Sequence, residues 1–359
     1  MSRILITPLS WGLGHATRCI PIIKKLLMEN HEVSIGACGN AFKLLQREFP
    51  RCHHIFFNDY PAPYSSSTYF LPKFVANIPL LLTYLSEERD NIEKIINDND
   101  FDMIISDNRM GVYSKDIPSL FITHQLRYSM PDYLKPFEDA SLHINEYIHK
   151  KFDAVIIPDS FENSLSGKLC HSPLEITNSK TYYTGILSSS YRTYEALDLD
   201  YLVVVSGPEP QRKILEEIIM KQITSLDGKK VVILGNPNVD VRGVLEDGTI
   251  VRSFVSEEEK LSLMNRAKFI ISRSGYTTMM DMAELDKRKG LFIPTPGQTE
   301  QEYLSKYYQK MGWFYSNNQY DLNLVKDVKM AREYTGFPPF SNTKTNVNAL
   351  YENVIKKYL

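Results

Sequence analysis

Short apolar runs alternate with amphipathic stretches along all 359 residues of the chain. Residues 3–8 (Arg-Ile-Leu-Ile-Thr-Pro) read as a buried strand. Residues 19–29 then carry Ile20, Ile23, Leu26 and Leu27 at helical spacing, and Val33–Ala37 is a second strand. Strand, loop, helix, strand is the organisation of a parallel sheet. Further strands are predicted at 100–107, 118–122 and 151–158. Regular periodicity lapses near 186–198, where the interdomain linker is placed. The opening arrangement then repeats: a strand at 200–205, a small-residue loop, and a helix from about Lys213. Strands follow at 229–234, 248–252, 269–271 and 290–294, and Val347, Leu350, Val354 and Ile355 mark a terminal helix over 344–359. The pattern predicts two α/β domains with parallel sheets, at 1–188 and 189–340. A closing helix within 341–359 is expected to pack back toward the first domain.

Composition narrows the class. The length suits two domains of about 150–200 residues each, and 43% hydrophobic content lets each bury a core. A net charge of −2 argues against a nucleic-acid binder with a broad basic face. Cys19, Cys38, Cys52 and Cys170 show no C-x-x-C spacing and read as reduced thiols of a cytoplasmic protein. The first residues form a strand opening without a signal peptide's apolar core, and no run of 18 uncharged apolar residues predicts a membrane span. Residues 61–69 read as a loop. Phe70 to Leu85 is apolar, with one charge (Lys73) and two prolines (Pro72, Pro79). As a helix it could pack into the first domain, rest peripherally on the inner membrane face, or line a groove for a lipid-linked acceptor.

Candidate chemistry collects at predicted strand ends. Gly12-Leu13-Gly14-His15 follows the first strand. His15 at that lip could act as a general base, with Arg18 on the same helical face to hold an acceptor oxygen or brace the loop. A dinucleotide dehydrogenase would need G-x-G-x-x-G and an acid after the second strand, where this chain has Ala37-Cys38-Gly39-Asn40. Asp107 and the pair His124-Gln125 end the next two strands, so His15, Asp107 and His124 converge on one sheet edge. In the second half, Ser272-Arg273-Ser274-Gly275 links a strand to a helix beginning near Thr277. Such a turn presents backbone N–H groups to a phosphate, unless it is an ordinary turn capped by serine. Asp281 follows within reach of an attached ribose. A second glycine turn, Pro294–Glu302, brings Gln298, Gln301 and Glu302 to the same carboxyl edge, where open α/β sheets bind ligands. Ser206-Gly207 and Arg212 form a further loop and helix start, and backbone groups of Phe254 and Val255 could pair with a nucleobase edge.

On these motifs the chain resembles the two-Rossmann-domain glycosyltransferases of the GT-B type. Its second domain is similar to that of the MurG-type, family 28 N-acetylglucosaminyltransferases. The likeness covers most of the chain and is strongest over 4–20 and 269–305, where S-R-S-G-x-x-T-x-x-[acid] is followed by I-P-x-x-x-x-x-x-Q-x-x-Y-L. The resemblance implies two Rossmann-like domains facing across a cleft. It also implies inverting transfer of a hexose or N-acetylhexosamine from a UDP-sugar to a glycan or lipid-linked acceptor, as in cell-envelope glycan synthesis. The UDP-sugar is a co-substrate, and neither cofactor nor metal is expected, since no Asp-x-Asp pair stands in a convincing metal-binding setting. By position, Ser274 and Gly275 match the diphosphate turn, Asp281 the ribose acid, and Gln301 and Glu302 the pair on the donor sugar. His15 and His124 match histidines on the acceptor side. Two departures stand out: Asp281 replaces the usual glutamate, and Ser-Trp-Gly-Leu-Gly-His is poorer in glycine than the MurG loop. The first puts the acid one methylene further from the ribose; the second leaves the acceptor open and points away from peptidoglycan itself. A UDP-sugar 2-epimerase of the same fold and a non-catalytic nucleotide-sugar binder are the alternatives.

Overall fold

The computed structural model describes residues 1–59, 70–130, 135, 138–172, 180–237 and 239–359. The loop expected at 61–69 lies outside them, as do the side chains at 70–79 on which the membrane-surface reading turns. The chain divides into two compact units, one built from residues up to Ser189 together with Ser341–Leu359, the other from Ser190–Phe340.

In the first unit the elements run β1 (Arg3–Pro8), α1 (Gly14–Met28), β2 (Glu32–Ala37), α2 (Gly39–Glu48), β3 (His53–Phe56), α3 (Phe70–Asp98), β4 (Met103–Asp107), β5 (Ser119–Ile122), α4 (Glu138–His149), β6 (Ala154–Ile157) and β7 (Thr181–Tyr183). These strands form one sheet in the order β3-β2-β1-β4-β5-β6-β7, parallel throughout. Every residue of β4, β5 and β6 is buried, as both faces of a parallel sheet should be. Alternation along β1 sends Ile4 and Ile6 into a core shared with Ile23, Leu26, Ile35 and Ile105, and Leu5 into the opposite core with Phe57, Ile92 and Ile104. Burying each such side chain contributes about 1.5–3 kcal/mol.

The second unit runs β8 (Leu199–Val204), α5 (Gln211–Gln222), β9 (Lys230–Ile233), β10 (Arg242–Val244), β11 (Ile250–Arg252), α6 (Glu257–Arg266), β12 (Ala267–Ser272), α7 (Tyr276–Glu284), β13 (Gly290–Phe292), α8 (Thr299–Lys310), β14 (Tyr315–Ser316) and α9 (Leu324–Ala331). Its sheet order is β10-β11-β9-β8-β12-β13-β14, parallel except for β10, which pairs antiparallel with β11. The last helix, α10 (Thr343–Asn353), belongs to the first unit and buries Val347, Leu350 and Tyr351 in the core that α1 lines. In each sheet the order reverses at the first strand: β1 lies between β2 and β4, and β8 between β9 and β12. Ligands of open α/β sheets bind outside the strand ends at such points.

Both terminal helices of the first unit differ in extent from the sequence pattern. Helix α1 begins at Gly14, not Cys19, and continues through Pro21 because Ala16, Cys19, Ile20, Ile22, Ile23 and Leu26 are all buried. His15 and Arg18 therefore sit in its opening turns. The terminal helix ends at Asn353, and the chain closes in a short 3₁₀ turn, Ile355–Lys357. Among the described residues, no helix is long and apolar enough to cross a membrane.

Candidate active site

The first unit's switch point holds a charged cluster. The chain leaves β1 through Gly12, whose φ of +138° suits glycine, and enters α1 at Gly14. One turn later Arg18 lies over Asp107, the last residue of β4, and its Nε donates to Asp107 Oδ2 at 2.5 Å while Nη2 donates to Oδ1. Arg18 Nη1 reaches His124 Nδ1 at 3.1 Å, and Gln125 Nε2 lies 3.4 Å from the other ring nitrogen of His124. His15 Nδ1 is 2.8 Å from Asp107 Oδ1 and also 2.8 Å from Arg18 Nη2. That nitrogen can donate to the carboxylate or accept from the guanidinium, not both. Arg18 already has Asp107 and His124 as acceptors, so a proton on Nδ1 satisfies more of the cluster and leaves the Nε2 lone pair free to accept.

The electrostatics suit a base. Asp107 is fully buried; burial works against its charge, but Arg18 and His15 outweigh it and hold the carboxyl well below the usual range. Burial, and next the Arg18 cation, push His15 below the ordinary imidazole value, against an opposing pull from Asp107. With a side chain 19% exposed, His15 stays neutral at working pH and reachable from solvent. Strand ends β1, β4 and β5 thus bring together His15, Asp107 and His124, as the spacing anticipated. Of the two readings of Arg18, bracing fits the geometry: only 2% exposed, its guanidinium is taken up by Asp107 and His124 rather than presented to an acceptor.

In the second unit β12 ends at Ser272 and α7 begins at Tyr276 with Gly275 as its cap residue, so no side chain caps the helix. The serine-capped turn is therefore overturned. The Ser274 hydroxyl is buried, donates to the Gln301 carbonyl at 3.0 Å and accepts from Ser305 Oγ at 2.9 Å. Any part Ser274 takes in holding an anion falls to its backbone. The positive end of α7, with Gly275 and Thr277 half-exposed there, stands clear of side-chain acceptors of its own cap. The second turn is held by its own helix: Gln301 Oε1 accepts from Thr295 N–H and Glu302 Oε1 from Gly297 N–H, each at 2.9 Å. Gln298 is the residue before α8, and its Oε1 is buried without a hydrogen-bond partner. Ser206 and Gly207 are exposed, and a Cβ at Gly207 would lie 3.4 Å from Thr295 Oγ1, so the first loop abuts the second. The side chain of Phe254 is 49% exposed rather than packed, while Val255 is buried.

Three donor-side expectations change. Arg273, 2% exposed, spends its guanidinium on the carbonyls of Ser206, Ile293, Pro294 and Gln211 and on Gln319 Oε1. Five N–H groups meet five acceptors, so it braces the loops and has none left for a phosphate. Arg212 is likewise buried, tied to Glu209, Glu216 and the Leu234 carbonyl. Asp281 is buried within α7, and Lys260 Nζ on α6 lies 3.9 Å from its Oδ2. Lys260 escaped sequence reasoning because no motif links residues 21 apart on separate helices.

A glycosyltransferase of Methanosarcina mazei, itself uncharacterized, is 24% identical over 320 residues, which is 84% of this chain and 81% of that protein. The glycotransferase of kitacinnamycin superposes with a TM-score of 0.64 at 12% identity, covering 100% of this chain and 99% of its own. MurG of Acinetobacter baumannii superposes with a TM-score of 0.59 at 11% identity, covering 99% and 100%. At such identities the likeness is one of fold, GT-B, and does not extend to family 28 specificity. The model of glycosyl transferase family 1 matches residues 2–330. A match over so much of the chain, on a fold that glycosyltransferases share, shows that this protein belongs to glycosyl transferase family 1.

Proposed function

We propose that the protein transfers a hexose or N-acetylhexosamine from a UDP-sugar to an acceptor hydroxyl with inversion and without a metal. The observation that carries this reading is the His15–Asp107 pair, 2.8 Å apart, with its carboxylate fixed by Arg18. His15 Nε2 takes the hydroxyl proton as the oxygen attacks the anomeric carbon, and Asp107 stabilises the imidazolium that forms. One displacement by an activated hydroxyl inverts the anomeric centre. The leaving diphosphate gains charge, which the N–H groups from Gly275 to Thr278 and the dipole of α7 stabilise. Gln298, Gln301 and Glu302 address the donor sugar, Phe254 and Val255 the base, and His124 and Gln125 the acceptor. The acceptor is a glycan or lipid-linked saccharide, and the protein works in the cytoplasm or at the inner membrane face.

The test is turnover of a nucleotide-sugar panel with glycan and lipid-linked acceptors, the product anomer being read by NMR. His15→Ala should lower turnover by about 10²–10⁴-fold. Unchanged turnover would sink the base assignment. Conversion of the donor with no acceptor present would replace transfer with epimerisation, and binding without turnover would make the protein a sensor.

A further inference from the structure

Asp107 orients the His15 ring, but the backbone that carries the ring arrives through the β1–α1 loop. That loop includes Gly12 and leads into Gly14, and no side chain caps α1, so the segment has little stiffness of its own. Ser10 supplies what the glycines lack. Its N–H donates to Asp59 Oδ2 at 2.8 Å, and its Oγ accepts from the Cys38 N–H at 3.2 Å. Asp59 divides its carboxylate: Oδ2 takes Ser10, and Oδ1 takes Arg109 Nη2. Arg109 is fully buried and is held in turn by Glu88 Oε1 at 3.0 Å and the Asn58 carbonyl at 2.9 Å, with the Phe57 ring 4.7 Å from its guanidinium. A fixed arginine fixes Asp59, and a fixed Asp59 fixes the loop that leads to the base.

We propose that Ser10 and Asp59 are positioning residues of the reaction, holding the β1–α1 loop so that His15 Nε2 stands where the acceptor hydroxyl gives up its proton. This rests on the reading of His15 as the base. Neither residue has to touch a substrate. The bond to Asp107 sets how the imidazole is turned, whereas the loop sets where the ring stands, and aiming Nε2 takes both. Misplacing a reacting group by about 1 Å costs about 10²-fold in rate. An amide at position 59 does not replace the carboxylate. It has one oxygen and one NH₂ group, so it meets a donor with a donor at either Ser10 or Arg109, and one of the two bonds is lost.

The experiment compares Asp59→Asn and Ser10→Ala with the wild type, each alone and in a His15→Ala background. Turnover is read as UDP release from UDP-N-acetylglucosamine or UDP-glucose, with the acceptor that the panel of glycan and lipid-linked acceptors returns. Asp59→Asn should lower kcat by about 10–100-fold and leave KM for the nucleotide-sugar within about twofold, since the groups read as holding the donor belong to the second unit. Ser10→Ala releases only the Cys38 anchor, at a half-exposed position, and should lower kcat by about three- to tenfold. Both losses should vanish once His15 is alanine, because a group that acts through the base then has nothing to act on. A second readout needs no substrate. The His15 ring signal in NMR, assigned by its loss in His15→Ala, should shift in both variants. Losses that persist in the His15→Ala background, an unmoved ring signal, or a donor KM that rises at unchanged kcat would each overturn the proposal. Should Asp59→Asn fail to fold, Ser10→Ala decides by the same criteria. Wild-type turnover in His15→Ala itself would instead overturn the base reading.

Discussion

Replacing Arg18 by methionine tests the cluster most directly. The change keeps the stem that packs in α1 and removes the guanidinium. Asp107, with no exposed surface, loses its donors at Nε and Nη2 and keeps only His15 Nδ1 at 2.8 Å and the weak Cys19 Sγ–H at 3.4 Å. Breaking a buried pair from one side costs about 3–5 kcal/mol, because a charge stays behind uncompensated. Here the remaining partner can respond. The Arg18 cation helps hold His15 below the ordinary imidazole value, and its removal leaves Asp107 to stabilise the imidazolium, so His15 titrates higher in the variant. A histidine whose native value rises above its unfolded value adds stability below the unfolded value and loses it as pH climbs through the native one. The deficit of Arg18→Met should therefore be smallest in mild acid and largest above neutral pH. Catalysis should move with it. The acid limb of kcat/KM shifts toward neutral pH, and the loss in acid is bounded by the whole contribution of a general base, about 10²–10⁴-fold. Denaturant midpoints across pH measure the first effect, and NMR titration of the His15 ring, which needs no substrate, measures the second. A stability loss equal at every pH, with His15 titrating where it does in the wild type, would refute the coupling.

Two further outcomes separate bracing from binding. Arg212→Met should leave UDP affinity within about twofold, its charge being already shared between Glu209 and Glu216. Arg273→Met, by contrast, strands the carbonyls of several loops, and should cost about 2–4 kcal/mol in denaturation as well as weaken UDP in calorimetry. Acid sensitivity should trace to His149, which is buried beside Phe121 and whose imidazole burial pushes down to about 4. Its native value lies below its unfolded one, so the unfolded chain takes up a proton that the native chain refuses. Stability should fall by about 3 kcal/mol between pH 6.5 and 4, and His149→Gln should flatten that limb in urea titrations.

How much could be seen in the sequence depends on what each residue reports. Buried parallel strands announce themselves as unbroken apolar runs, so β1, β4, β8 and β12 were legible, and with them the repeated α/β plan. The half-buried edge strands β3 and β10 are too short and mixed to show a period, and both went unseen. The start of α1 was hidden because helical spacing of apolar residues shows only from Ile20 on, so Gly14 to Arg18 read as part of the glycine loop, although burial of Ala16 and Thr17 carries the helix back to Gly14. Convergence of His15, Asp107 and His124 followed from strand ends alone. What did not follow was the use of the arginines. A sequence shows a cation near a loop, and cannot show that five carbonyl and carboxylate oxygens already surround it.

That last point reaches further than a correction, because the same device occurs in both units. Arg109 comes just after β4, beside β1; Arg273 comes just after β12, beside β8. Each is buried at its sheet's switch point. Arg109 donates to the carbonyls of Pro8, Asn58 and Phe57 and to Glu88 and Asp59, while Arg273 donates to four loop carbonyls and Gln319. Where strand order reverses, loops diverge and leave carbonyl oxygens without ladder partners, and an unmet buried carbonyl is costly. A planar fork of five donors meets that need from one residue. The consequence is functional. Loops fixed in this way hold the His15–Asp107 pair and the open end of α7 in place before substrate arrives, and stabilisation of charge in a transition state depends on such groups not having to move. Arg109 and Arg273 thus hold the loops at the two switch points with every guanidinium N–H already bonded within the protein.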